Sequence, residues 1–200
     1  MPDLQPQQAA KGVDEIDVAR AEEYTLLSRL LLRSPDAELL RRLQGLRGDD
    51  SALGRCHQAL AESAARTDAE NIAREYFTLF VGVGRGELLP YASYYLTGAL
   101  HARPLATLRQ DLQELGIERT DGQSEPEDHA GILLEIMGEL AGTSGGADRG
   151  FFNDHLAPWI GTFFEELERA SSAQFYAVVG RLGTRFLEIE RRGFQLTDSR

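Results

Sequence analysis

Three short blocks of the sequence carry the side chains best suited to chemistry or recognition. They are Glu75–Phe80, Pro90–Tyr95 and Glu125–His129. The first two blocks are rich in aromatic residues and the third in carboxylates. The second and third contain a proline, a residue that starts or breaks helices. None has the spacing of a metal cage, a nucleophile elbow or a phosphate loop. The pattern therefore predicts one recognition surface, held by a scaffold that the rest of the chain supplies.

Asp128 and His129 are the residues of these blocks that could support catalysis or bind a metal. A carboxylate beside an imidazole tunes the pKa of that ring, but neither a nucleophile nor a set of oxyanion donors accompanies the pair. Adjacent residues point to different sides of a helix, so the two do not converge on one metal ion, even with His155 further along. We expect no catalytic residue, no metal and no cofactor. A small enzyme that uses Asp128 and His129 is the alternative, and it predicts a bell-shaped pH–rate profile.

The glycines of segment 82–86 resemble a nucleotide-binding loop at first sight. A dinucleotide fingerprint follows a strand and has its third glycine further along, whereas a predicted helix precedes this segment. The Gly-Lys-Ser/Thr ending of a phosphate loop is also missing. We interpret the segment as a surface loop.

The acidic block has two interpretations that the residues alone leave open. Carboxylates at a helix N-terminus satisfy free N–H groups and the helix dipole, which would explain Glu125, Glu127 and Asp128. This does not explain His129, whose charged form is disfavoured there, nor so dense a group of acids in a chain that is already acidic. The alternative interpretation is a binding site.

The aromatic blocks also have two interpretations. Core packing is favoured for Tyr76, Leu79 and Phe80. The three tyrosines between positions 91 and 95 exceed what a core usually takes, because each buried hydroxyl needs a partner. Tyrosine together with proline and leucine is typical of a peptide-binding groove. The aromatic residues of segment 151–164 follow helical spacing, which predicts core.

The charge and the cysteine content restrict the partner and the compartment. The 200 residues include 32 acidic and 21 basic side chains, a net charge of −11, and a single lysine, Lys11. An acidic surface argues against nucleic acid and favours cationic partners, although excess acid also serves solubility alone.

Cys56 is the only cysteine, so no internal disulfide forms, and segment 1–13 lacks the apolar region of a signal peptide. Since no apolar run reaches roughly 18 residues, we expect a soluble cytoplasmic protein without stable membrane insertion.

Apolar residues at intervals of three and four predict helices along the whole chain. The predicted helices cover approximately 14–33, 35–45, 51–65, 67–80, 91–100, 104–115, 124–140, 151–167 and 173–192. Capping signals mark several starts, namely Ser34-Pro35 and the capping boxes Thr67–Glu70 and Ser124–Glu127. The sequence predicts an all-α bundle of eight or more helices with no β-sheet. It also predicts a disordered tail over 1–13 and a single domain over 14–195, with two lobes joined near 117–148 as an alternative.

In their order, these motifs resemble the TorD/DmsD-type redox-enzyme maturation chaperones. The shared pattern is Glu75-Tyr76-x-x-Leu79-Phe80, Pro90-Tyr91-x-Ser93-x-Tyr95, Leu108-Arg109, Glu125-Pro126-x-Asp128-His129 and His155-Leu156-x-x-Trp159. Each block alone is weak evidence for the family, whereas the ordered set is specific to it. The resemblance extends over about residues 20–190.

The resemblance implies an all-α chaperone without catalytic activity. It implies a cytoplasmic protein dedicated to a molybdenum-containing oxidoreductase. Such a chaperone binds the twin-arginine leader and the apo form of its client, aids insertion of the molybdopterin cofactor and delays export until folding is complete. The resemblance places the leader-binding and hinge residues at Leu79, Phe80, Pro90, Tyr91, Pro126, Asp128 and His129. Some members of the family bind GTP weakly, so the resemblance leaves open whether this protein binds a nucleotide. Segment 142–148 matches the family's hinge region only in part, which leaves open both a monomer and a domain-swapped dimer.

The chemistry of a twin-arginine leader agrees with this assignment, because such a leader has a cationic segment followed by an apolar one. Glu125, Glu127 and Asp128 can pair with the two guanidinium groups, and the aromatic blocks can contact the apolar part. The predicted leader-binding residues are Leu79, Phe80, Pro90, Tyr91, Glu125, Pro126, Glu127, Asp128 and His129. The main alternative is an assembly factor for a leaderless cytoplasmic molybdoenzyme subunit. Dimethyl sulfoxide, trimethylamine N-oxide and formate enzymes are all candidate clients.

Overall fold

Helices account for the regular structure of the protein. The computed structural model describes residues 14–118, 125–143 and 146–198. Within these ranges ten α-helices follow one another: α1 Glu15–Leu32, α2 Ala37–Gln44, α3 Ala52–Ala65, α4 Ala69–Tyr76, α5 Ala92–Thr97, α6 Arg103–Glu114, α7 Ala130–Ala141, α8 Ala147–Phe151, α9 Ile160–Arg169 and α10 Phe175–Asp198. Two π-helical turns, Phe77–Val81 and Phe152–Leu156, extend α4 and α8. The described ranges contain one isolated β-bridge, Tyr91 to His129, and no strand. The predicted all-α bundle is therefore confirmed, while the tail over 1–13, the Ser124 cap and the middle of the 142–148 linker lie outside the described residues.

Two predicted helix starts are one or two residues too early. α2 is capped by Asp36 rather than by Ser34, and α4 by Asp68 rather than by Thr67. Each aspartate accepts a backbone N–H one turn into its helix at 2.8 Å. Aspartate is as good an N-cap as serine and a better one than threonine, and its charge is also favoured at the positive end of the helix dipole, so the sequence alone did not exclude it as the cap.

The predicted aromatic helix over 151–167 is wrong as a single element. α8 passes into the π-helical turn, and α9 begins only at Ile160. Pro158 lies between them, and a helix does not continue through it because proline has no N–H and its ring clashes with the preceding turn. The prediction that this segment forms core is confirmed, since Trp159, Phe163 and Phe164 are at most 2% exposed.

α1 and α10 organise the packing of the bundle. α1 lies against α7, and α10 lies against α9 and α3. Two glycines of α10 permit the close crossing with α9. A Cβ atom at Gly180 would lie 2.5 Å from the backbone nitrogen of Glu168, and one at Gly183 would lie 2.4 Å from the Phe164 ring. One cluster of buried side chains includes residues from every one of the ten helices.

An ionic network joins α1, the first helix, to α10, the last. Arg20 of α1 donates to both carboxylate oxygens of Glu190 in α10 at 2.8 Å and to Asp148 of α8 at 2.7 Å. The hydroxyl of buried Tyr24 also donates to Glu190, at 2.7 Å. Burial alone would lower the pKa of Arg20, but the two carboxylates raise it well above its ordinary value. The network therefore ties α1, α8 and α10 together around a paired charge.

Candidate functional site

The second and third sequence blocks meet through their backbones. The N–H of Ala92 donates to the carbonyl of Asp128 at 2.9 Å, and the N–H of Ala130 donates to the carbonyl of Pro90 at 2.7 Å. These two bonds surround the isolated β-bridge and hold the two segments antiparallel. The structure thus brings the tyrosine-rich block and the acidic block side by side.

Asp128 is enclosed at this junction. It is 1% exposed, and its Oδ2 accepts the backbone N–H of Ser93 at 2.9 Å, which satisfies a free donor in the first turn of α5. Its other oxygen, Oδ1, has no hydrogen-bond partner among the described residues, and the same holds for the hydroxyl of Ser93. A buried carboxylate oxygen without a donor is costly. Asp128 therefore has a structural role through one oxygen, while its other oxygen is buried and unpaired in the described structure.

His129 is the N-cap of α7. Its Nδ1 accepts the N–H of Gly131 at 3.0 Å, and its ring meets the Tyr91 ring edge-on at 5.2 Å between centroids. Burial lowers the pKa of His129 to about 4, although the charges of Glu125 and Asp128 act in the opposite direction. A neutral ring suits this position, because Nδ1 must accept a hydrogen bond and a cation is disfavoured at a helix N-terminus. The hypothesis that the acids of the block cap this helix is wrong: α7 begins after the block, with no acid in its first turn.

The two glutamates of the acidic block are each bound by a neighbouring side chain. Tyr91 donates its hydroxyl to Oε2 of Glu125 at 2.6 Å, and burial together with this carboxylate raises the pKa of Tyr91. Arg109 of α6 binds Glu127 through two hydrogen bonds, Nε to Oε1 at 3.1 Å and Nη2 to Oε2 at 2.8 Å. The side chain of Glu127 is 12% exposed, and that of Arg109 is 50% exposed. A guanidinium of the chain itself therefore already binds one of the predicted arginine acceptors.

The first block lies beside this junction but contributes mainly to the core. Leu79 is fully buried, which confirms the core interpretation, and Phe80 is half-buried with its ring 5.1 Å from that of Tyr76 and 5.3 Å from that of Tyr176. Burial, and to a lesser degree the charge of Glu125, raises the pKa of Tyr76 to about 12. All three blocks are thus in one region, although Leu79 cannot touch a partner while this packing persists.

Glu75, the first residue of that block, has a structural role that the sequence does not reveal. Its carboxylate accepts the backbone N–H groups of Gln174, Phe175 and Tyr176 at 2.8, 3.2 and 2.8 Å. These donors belong to the first turn of α10 and the residue before it, where no intrahelical acceptor exists. Glu75 therefore anchors α4 to the start of α10.

Sequence reasoning missed the apolar side chains that the end of the first block presents to solvent. Phe77 is 46% exposed, Val81 is 51% exposed, and Val83 in the following loop is 97% exposed. The apolar face predicted for this helix is nevertheless correct, since Ile72 and Leu79 are buried and Tyr76 and Phe80 are half-buried. The π-helical turn over Phe77–Val81 was not predicted, because no residue type in this block indicates it.

The described part of the chain contains no set of side chains suited to binding a metal ion. Among those residues no group of three or more His, Cys, Asp or Glu side chains could hold a metal ion. No helix described here is long and apolar enough to cross a membrane. What the junction offers to a partner is carboxylates, aromatic rings and apolar side chains.

Comparison with known proteins places the chain in a family. The sequence model of the family described as nitrate reductase delta subunit matches residues 46–165, more than half of the chain. The chain belongs to this family. Among its relatives, the chaperone protein TorD of Vibrio cholerae serotype O1 is 29% identical over 199 residues, which cover 86% of this chain and 90% of the relative. The probable Tat proofreading chaperone DmsD of Haemophilus influenzae is 30% identical over 121 residues, which cover 60% of each chain.

A solved structure has the same fold as this family member. The putative redox enzyme maturation protein from Archaeoglobus fulgidus superimposes with a TM-score of 0.59 at 20% sequence identity and covers 91% of this chain and 99% of its own. At this identity the likeness concerns the fold alone.

The family and these relatives confirm the resemblance drawn from the motifs. The chain is a redox-enzyme maturation chaperone of the TorD/DmsD type and not a catalyst. Its leader-binding residues stay a prediction. The structure buries Leu79, Pro90, Asp128 and His129, and it leaves Phe80, Tyr91, Glu125, Pro126 and Glu127 partly exposed.

Proposed function

We propose that the chain acts in the cytoplasm on a molybdenum-containing oxidoreductase. It binds the twin-arginine leader and the apo form of that client, aids insertion of the cofactor and delays export until folding is complete. The observation that supports this is the antiparallel junction, which gathers Tyr91, Glu125 and Glu127 on one partly exposed surface. The Haemophilus influenzae relative is named as a Tat proofreading chaperone, and this name points to the same export route.

Charge complementarity is the physical basis of the proposed recognition. The chain carries a net charge of −11, which attracts a cationic leader over long range. At contact, guanidinium groups favour carboxylates because they bind them bidentately. We expect a dissociation constant in the micromolar to sub-micromolar range, roughly −8 to −10 kcal/mol, that weakens with added salt.

Binding at Glu127 would be an exchange of partners. Arg109 already pairs with Glu127 in the geometry that a leader arginine would adopt. If the leader displaces Arg109, the carboxylate stays paired throughout, and the half-exposed Arg109 returns to water at little cost. The exchange avoids leaving a charge unpaired in a shielded position.

Titration calorimetry with synthetic leaders tests the proposal. The wild-type protein should bind one leader, and binding should weaken when both leader arginines are replaced by glutamine. Glu125→Gln should weaken binding roughly tenfold through the loss of a charged acceptor. Glu62→Gln in α3 is the matched control, because it removes one negative charge from an exposed pair with Arg66. If both variants lost affinity equally, the change in net charge alone would explain the loss. If no leader bound to the wild-type protein, leader recognition would be refuted.

A second candidate is favoured by the description of the family as a subunit of nitrate reductase. In that case the chain is an assembly factor for a leaderless cytoplasmic molybdoenzyme subunit. Whole apoenzyme would then bind, whereas isolated leaders would not.

We further propose that residues 14–195 form one functional domain. A monomer is the first proposal, and a domain-swapped dimer, which the partial match of 142–148 leaves open, is the second. Light scattering over a range of protein concentrations distinguishes the two.

A further inference from the structure

A groove of about 430 Å³ opens between α6, α7 and the turn that follows α6. Its floor is apolar and consists of Leu112, Ile117, Ile132 and Ile136. The turn contributes Ile117, because Gly116 takes a left-handed φ of 70° that glycine adopts without strain. The N–H of Ile117 then donates to the carbonyl of Leu112 at 2.9 Å. This helix cap folds the chain back, so that Ile117 lies against the groove.

Carboxylates surround this apolar floor. Glu118, Glu135 and Glu139 line the groove and are exposed, and their side chains have neither an ion pair nor a hydrogen bond among the described residues. Arg109 is the one cation of the lining in the described structure, and it is bound to Glu127. The groove therefore combines an apolar floor with three uncompensated negative charges.

The charge pattern of α7 differs from that of four other helices. In α2, α3, α4 and α9 a glutamate forms an ion pair with an arginine four residues later, namely Glu38–Arg42, Glu62–Arg66, Glu70–Arg74 and Glu165–Arg169. In α7 the residue four positions after Glu135 is another glutamate, Glu139. Like charges at this interval repel, and the helix dipole disfavours an anion in the last turn, where Glu139 lies. Cations supplied from outside the helix would relieve both effects.

Glu135 and Glu139 are also the two exposed residues of α7. Leu140 is half-buried, and the other residues of this helix are buried. The surface that α7 offers to a partner is therefore the strip that borders the groove.

We propose that the groove between α6 and α7 is a docking surface for a basic amphipathic helix of a partner protein. The apolar stripe of that helix packs on the floor, and its cationic side chains pair with Glu135 and Glu139. Residues four apart on a helix are separated by about 6 Å along the axis, so cations at this interval match the two glutamates. An extended peptide fits less well, because α6 and α7 use their backbone groups internally and offer no partners for its N–H and C=O groups.

This surface is separate from the proposed leader site. Of the nine residues predicted for leader binding, Glu127 is the one that lines the groove in the described structure, and Arg109 already binds its carboxylate. Glu135 and Glu139 belong to none of the three sequence blocks. The inference therefore goes beyond leader recognition and does not depend on it.

Titration calorimetry of the full chain with a model peptide tests the proposal. The peptide has about 14 residues, with leucine and lysine arranged at helical spacing so that it forms a basic amphipathic helix. One control peptide has the same composition in an order that distributes the leucines around the helix, and a second has glutamate in place of each lysine. The first peptide should bind in a one-to-one complex, and both controls should bind at least about tenfold more weakly. Equal binding of the first peptide and the reordered one would overturn the proposal, because net charge alone would explain it.

Charge variants locate the binding. The double variant Glu135→Gln, Glu139→Gln should weaken peptide binding by about tenfold or more. The matched control Glu62→Gln, Glu70→Gln removes the same net charge from exposed pairs of α3 and α4 and should change the affinity less than about twofold. The first variant should also melt at the same temperature as wild type or higher, because a repulsion is removed. Equal losses of affinity in the two variants, or a lower melting temperature of the first, would refute the role of these glutamates in docking.

Two variants on α6 test the shape of the groove. Gln113→Trp places a bulky ring on an exposed residue of the lining, and Gln110→Trp places the same ring on an exposed residue of α6 that does not line the groove. Gln113→Trp should abolish peptide binding, whereas Gln110→Trp should leave it unchanged. Unchanged binding to Gln113→Trp would place the peptide elsewhere and overturn the proposal.

Leader binding distinguishes this surface from the junction of the sequence blocks. The double variant Glu135→Gln, Glu139→Gln should bind a twin-arginine leader as the wild type does. If it lost the leader together with the model peptide, the groove would belong to the leader site and a separate docking surface would be refuted. A wild-type protein that binds the model peptide but no leader would refute leader recognition and leave this surface standing.

Discussion

Replacing His129 by asparagine should remove one pH-dependent part of the stability of the protein. Asparagine is a preferred N-cap and can accept the N–H of Gly131 as the imidazole does, but it does not titrate. In the native protein, burial lowers the pKa of His129 from 6.5 to about 4. The unfolded chain therefore binds the proton more readily, so the free energy of unfolding of the wild type decreases as the pH falls from 6.5 towards 4.

The magnitude follows from these two pKa values. Each pKa unit corresponds to roughly 1.4 kcal/mol, so complete protonation of His129 costs the native state about 3 kcal/mol. Between pH 7 and pH 5 the loss is about 2 kcal/mol. This is a large part of the stability of a typical domain, which is on the order of 10 kcal/mol.

Urea unfolding at several pH values measures the effect. Trp159 is the only tryptophan and is 2% exposed, so its fluorescence reports unfolding. The other titrating groups act in both proteins and cancel in the difference. Among them is His57, whose hydrogen bond to Glu23 raises its pKa. That pair acts in the opposite direction, because its stabilisation is complete below pH 6.5 and is lost as the pH rises. Parallel stability curves for wild type and His129→Asn would refute the assignment of a neutral, buried His129.

Two further predictions concern the scaffold. Glu190→Gln should lower the free energy of unfolding by about 3 kcal/mol, because Arg20 loses its main charged partner in a partly buried position; a loss below about 1 kcal/mol in urea titrations would show that the network contributes little. Gly180→Ala should destabilise by about 1–3 kcal/mol, because the added Cβ meets the backbone of α9. The control Gly193→Ala lies in the same helix, and its added atom meets nothing within 4 Å, so this variant should be more stable than wild type by about 0.5–1 kcal/mol. Equal melting temperatures for the two variants would contradict the close crossing of α10 and α9.

Much of the fold was predictable because helix periodicity and core formation are local properties of the chain. Intervals of three and four place Leu27, Leu30 and Leu31 on one face, and these side chains are buried. The all-α class and the aromatic core around Trp159 follow from the same pattern. The order of the motifs was enough to indicate the family, since a motif is a property of sequence alone.

Several local details were not predictable, because they depend on competition between neighbouring groups. α2 is capped by Asp36 and not by Ser34, and the sequence did not distinguish the two because serine and aspartate are comparable N-caps. The π-helical turn over Phe77–Val81 was not predicted either, because no residue type indicates it.

The roles of the site residues were decided by tertiary structure. The sequence by itself determined that acids, tyrosines and prolines would occur in ordered blocks on a helical scaffold. It could not determine that Glu75 caps α10, that Arg109 binds Glu127, or that one oxygen of Asp128 binds Ser93 while the other has no donor in the described structure. Each of these contacts joins residues far apart in the chain. Periodicity carries no information about which distant N–H group a carboxylate will meet, because that depends on how the helices pack.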